Sequence, residues 1–131
     1  MREIGERTDA QIDMEEQQKD YYGLDLHYAE LPDADLVGAN LAGTNLIGAN
    51  LTGADLCDAV LFSADLGSAA LNGVNLTDAD LTGVNIRSCK GLTQEQLDEA
   101  KARDDNPPNL RRTLDAETGE QLVWRGKPLN E

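Results

Sequence analysis

A repeat fold of the solenoid type is what this sequence predicts, and three observations predict it. First, a leucine or its equivalent returns at every fifth residue, from Leu26 through Leu31, Leu36, Leu41, Leu46, Leu51, Leu56, Leu61, Leu66, Leu71, Leu76 and Leu81 to Ile86. Second, two places before each stands a small or apolar residue: mostly alanine from Ala29 to Ala79, with Leu24, Thr44, Val74 and Val84 as variants. Third, a period of five matches neither the 3.6-residue helical spacing nor the two-residue alternation of a strand. Neither an amphipathic helix nor a hairpin array could therefore bury all these leucines together. Self-similarity at a fixed period decides the architecture.

The unit reads Ala-Asp/Asn-Leu-x-Gly/Asp/Ser, and over about half the chain it resembles the pentapeptide-repeat family. The resemblance implies an all-β solenoid: a right-handed quadrilateral parallel β-helix in which each five-residue unit forms one side of a square and four units complete a coil. Residues two apart share one side of an extended chain, so the leucine and the small residue before it can both face inward. A 20-residue offset then stacks Leu26, Leu46, Leu66 and Ile86 as one core ladder, roughly 4.8 Å per step, in about three coils. Such thin coils gain stability from their neighbours and need covered ends. The expected organisation is an N-terminal capping segment over 1–23, the β-helix over 24–91, a C-terminal capping helix over 92–104 and a tail over 105–131.

The segments flanking the repeats carry helix signals. Thr8 and Gln11 have capping-box spacing ahead of a short polar helix over 9–20, whose Ile12 and Met14, with Tyr21 and Tyr22, could cover the first coil. Carrying the register back would put Lys19 at an inward corner, so the coils are expected to begin near Leu24. After Ile86 the pattern fails, because Gly91 stands where a leucine is due. Thr93 and Gln96 form a capping box, with Leu92 and Leu97 spaced as a hydrophobic staple, and predict a helix over 94–103. Pro107-Pro108 ends it. Thr113 to Asp115 and Gln121 to Trp124 flank a Gly-containing turn and suggest a small hairpin. Leu114, Leu122 and Trp124 are expected to dock it on the solenoid.

The formal charge is −14, and nine acids face Arg87 alone across residues 24–88. Such a surface repels phosphates and anionic membranes, so neither nucleic acid nor membrane is expected as a partner. The charged first 20 residues hold no apolar run of signal-peptide length, and no later segment has the length of a membrane span; a cytoplasmic protein is expected. Two cysteines, Cys57 facing out and Cys89 facing in, fit free thiols in a reducing compartment.

Chemistry has little to build on. His27 is the only histidine, so no histidine cluster can hold a metal, and the carboxylates lie on an open wall with nothing to raise a pKa. No enzyme activity and no cofactor are expected. Two outward features stand out. Val60 and Phe62 flank Leu61 where the repeat calls for Asp or Asn, and with Ile47 on the next side they form either a docking patch or a surface covered by the chain's own tail. Asp35 over Asp55 and Asp58 over Asp78 make an acidic face, read as solvated before it is read as a site for a cation or a basic partner. The expected function is a non-catalytic scaffold that binds an unidentified protein, as monomer or homodimer. The alternative comes from the resemblance: some family members are acidic DNA mimics that bind DNA gyrase, although this stack is short beside a turn of B-DNA.

Overall fold

The structure, a computed structural model, describes residues 19–129. Parallel bridges join residues 20 apart in four ladders: Asp20–Asn40–Val60–Asp80, Asp25–Asn45–Asp65–Asn85, Glu30–Asn50–Ala70–Lys90 and Asp35–Asp55–Asn75. Between ladders the chain turns through four residues. In one example the Ala64 N–H donates to the Leu61 carbonyl at 2.8 Å, and Ser63, third in the turn, has φ 59°. A positive φ at that place is what a type II turn demands; glycine meets the demand at half of the equivalent corners, and Asp, Ser or Tyr stands at the rest.

The leucines and their small partners fill the inside. Leu46, Leu66 and Ile86 are fully buried in one ladder, whereas Leu26, in the first coil, is half-buried. From Leu26 to Leu71 every fifth-residue leucine N–H reaches the next coil, as in Leu46 to Asp65 O at 2.7 Å, so core packing and backbone pairing are satisfied by the same neighbours.

The ladders begin earlier than the inward-lysine argument predicts. Asn40 N–H donates to Lys19 O at 2.8 Å, and Tyr21, half-buried, occupies a leucine place. Lys19 is tolerated at the corner because its stem lies along the wall while Nζ reaches Asp35 Oδ1 at 3.1 Å and Val37 O at 3.2 Å. The helix expected over 9–20 falls almost wholly outside the described residues.

At the other end the coil continues where the repeat stops. Helix α1, Gln94–Asp98, has the expected Thr93/Gln96 capping box but is shorter than the 94–103 expectation. It ends because Lys101 N–H returns to the ladder, donating to Ala79 O at 2.8 Å. Residues 100–113 then retrace the square: Lys101 bridges Asp80 and Asn109 bridges Asn85, while Ala100, Ala102, Pro108, Leu110 and Thr113 fill inward places. Strand β1, Lys101–Ala102, is joined in parallel by β2, Lys127–Pro128.

The tail hairpin amounts to one antiparallel bridge, Leu114 to Gln121. Leu122 closes the core at 2% exposure and Trp124 is half-buried against it, but Leu114, expected to dock, is 51% exposed. The reason is alternation: Thr113 and Asp115 turn inward, so Leu114 between them turns out.

Candidate interaction surface

The outward residues come in columns set by the 20-residue offset. Val60 sits in a ladder otherwise made of Asp20, Asn40, Asp80 and Lys101, and Phe62 stands two residues on, in the following turn. Val60, Phe62 and Ile47 are 38%, 45% and 36% exposed, and the tail does not cover them. Ala42 and Tyr22 precede Phe62 in its column, with Tyr22 also exposed, so the apolar strip runs further than Val60 and Phe62 alone. The sequence register already holds that alignment, but Tyr22 reads as end cover when the coils are started at Leu24.

The acidic face is less uniform than its sequence suggests. Asp35 lies over Asp55 in a parallel bridge, and the Lys19 ammonium holds the Asp35 carboxyl below its usual range. Asp55 accepts from Asn75 Nδ2 at 3.1 Å. Asp78 takes Lys127 at 3.0 Å and Lys101 at 3.9 Å; the hydrogen bond to Lys127 lowers its pKa and raises that of the lysine. Among the described residues, Asp58 keeps only the weak donor Cys57 Sγ at 3.6 Å. Lys19 and Lys101 are the residues that sequence reasoning missed, whereas Lys127 belongs, with Arg111, Arg112 and Arg125, to a basic tail whose charge complements the acidic repeats. No spacing rule ties lysines outside the repeat to particular carboxylates within it.

Reactive groups are insulated or isolated. Cys89 donates its thiol to Leu66 O at 2.8 Å, and burial pushes its pKa up to about 12. Desolvation, then the neighbouring Asp58, also raises the Cys57 thiol, which leaves it a poor nucleophile. His27 pairs with Asp25 at 2.6 Å in the open, and that hydrogen bond lowers the Asp25 pKa. Among the described residues no group of His, Cys, Asp and Glu converges as a metal site, and no helix is long and apolar enough to cross a membrane. What the arrangement offers chemically is a fixed pattern of apolar, acidic and amide groups on a rigid wall.

Comparison with known proteins agrees with the ladder geometry. The family model described as "Pentapeptide repeats" matches residues 23–58 and 59–90 with 8 copies. Among solved structures, a pentapeptide repeat protein of the Arabidopsis thaliana thylakoid lumen is 27% identical with a TM-score of 0.58, over 69% of this chain and 60% of its own. A pentapeptide repeat protein of Nostoc PCC 7120 is 31% identical over 88% of this chain and 96% of its own, with a TM-score of 0.40. No curated protein matches.

Proposed function

Since this chain belongs to the pentapeptide-repeat family, a family of repeat scaffolds, we propose that it is a non-catalytic scaffold that binds a partner protein through the wall bearing Val60, Phe62 and Ile47. The observation that carries the reading is the exposed pair Val60 and Phe62, with Val60 the apolar member of an otherwise polar ladder. An apolar residue in the Asp/Asn place gives up the side-chain ladder and does nothing for the core. Its use lies with whatever covers it. The flat, closely bonded wall would present the pair without an ordering cost on binding.

The test uses substitutions that the repeat itself tolerates: Val60→Asn restores the ladder residue, and Phe62→Thr copies the threonine at equivalent turn places such as Thr52 and Thr82. Affinity capture from the source organism's lysate is compared between wild type and the double variant, with solution mass measured for both. A partner, or a dimer contact, that is present with the wild type and lost from the folded variant supports the proposal. An unchanged set of partners and an unchanged mass would remove this wall from consideration.

A further inference from the structure

One side of the square lacks its last rung. Three ladders run to Lys101, Asn109 and Lys90, but the fourth stops at Asn75, because α1 stands where residue 95 would have paired. In the regular coils a leucine N–H donates to the coil that follows, and a residue of that coil donates back to the carbonyl two places earlier, as in Leu56 to Asn75 O and Asn75 to Ala54 O. At the fourth side, Gln96 Nε2 caps the Val74 carbonyl at 2.8 Å in place of the missing rung. The Leu76 N–H has no acceptor within hydrogen-bonding geometry among the described residues. It opens instead on a recess of about 280 Å³ lined by Val74, Leu76, Thr77, Glu95, Gln96 and Glu99. An unpaired strand edge is a template for another extended chain.

The adjacent side shows what such an edge accepts. There the tail supplies β2, an extended segment, as an added parallel rung on β1. Its Lys127 ammonium lies between Asp78 at 3.0 Å and Glu99 at 3.6 Å. A basic extended segment is thus already held at this margin by backbone pairing together with carboxylates. The recess repeats both elements, an unused donor in Leu76 and the carboxylate of Glu95, beside a Glu99 that already faces Lys127 at 3.6 Å.

We propose that this gap receives an extended, lysine- or arginine-bearing segment of a partner protein alongside α1, a backbone carbonyl accepting from Leu76 N–H and a basic side chain lying against Glu95. The site is distinct from the Val60/Phe62 wall, and either can hold without the other.

The experiment titrates the full chain, labelled with ¹⁵N, with an acetylated and amidated Lys-Val-Lys-Val-Lys peptide. Its Glu-Val counterpart and spermine, which has the charge without carbonyls, serve as controls. Expected are a shift of the Leu76 amide and slowed hydrogen exchange there, with the basic peptide alone. Glu95→Gln should weaken binding about two- to fivefold, the effect of one exposed ion pair, and Val60→Asn/Phe62→Thr should leave it unchanged. Equal shifts with spermine, shifts spread over Asp35, Asp55 and Asp58 without protection at Leu76, or no binding at roughly millimolar peptide would each overturn the proposal.

Discussion

A typical wall residue of the Asp/Asn column makes two bonds of different reach. Its Oδ1 accepts the N–H two residues on, fixing the turn, as in Asn45 to Ile47 at 3.1 Å, and an asparagine Nδ2 donates one coil back, as in Asn45 to Asp25 at 3.1 Å or Asn85 to Asp65 at 2.8 Å. The scheme needs an asparagine over an acid, and it fails where Asp55 lies over Asp35. Asp55→Asn would supply the missing donor to Asp35 and keep an oxygen for Asn75 and Cys57. We expect Tm to rise by about 1–3 °C; a fall in a thermal melt would show that the stacked acids are not the weak point. The corners make a second prediction. Ser63 pays for a left-handed backbone at φ 59°, whereas Gly73 sits at φ 67° with room around it. Ser63→Gly should stabilise and Gly73→Ala destabilise, each by about 1 kcal/mol, measured by denaturant midpoints.

At the scale of elements, the C-terminal segment is fastened by charge as well as by Leu122. Asp115 accepts from the N–H groups of Gln94, Thr118 and Glu117, which lower its pKa, and Asp78 is lowered by Lys127, whose own pKa is raised in turn. A depressed carboxylate contributes stability above its unfolded pKa, near 4, and that contribution is lost as pH falls through the lowered value. A raised lysine contributes fully below its unfolded pKa, near 10.4, and the contribution is lost as pH rises through the raised value. The segment 115–129 should therefore resist proteolysis best between about pH 4 and 10 and loosen at both extremes. A protection profile that stays flat from below about pH 3 to above about pH 11 would remove the charges from the account. The repeats were legible because their spacing is strict, so register, inward columns and the Val60/Phe62 break all follow from position alone. The coil over 100–113 was not. α1 and the loop at 103–107 shift its offsets to 21 and 24, from Asp80 to Lys101 and from Asn85 to Asn109, and Ala100, Ala102, Leu110 and Thr113 no longer share a period. The unfilled place over Leu76 is likewise a product of that slip, visible only once α1 is seen to displace a rung.

Over the whole molecule, the core is a continuous column in which each layer touches only its neighbours. Leu61→Ala in the middle of the stack should cost about 2–5 kcal/mol and lower the melting of every coil together, because the coils above and below share the vacated space. Trp124→Ala should act locally instead. The half-buried indole packs over Gly126 and against the core at the end of the stack. Its loss is expected to speed cleavage of the tail while the repeat melts as before. Hydrogen exchange resolved by segment separates the two patterns, and a uniform response to Trp124→Ala would mean that the tail is integral to the cooperative unit.

The last rung, Lys127–Pro128, bears on the polymer physics of such a molecule. Parallel strands stacked in register at constant spacing are also the geometry of a growing fibre, in which each chain end templates the next. A terminal layer of uninterrupted amides would invite head-to-tail addition without limit. Here the final strand offers an ammonium group, and then a proline with no N–H to donate, while Leu122 and α1 close the apolar column beside it. The Pro128 ring thus removes the outward amide from this rung, and the covered column leaves no apolar layer beside it for another strand to extend.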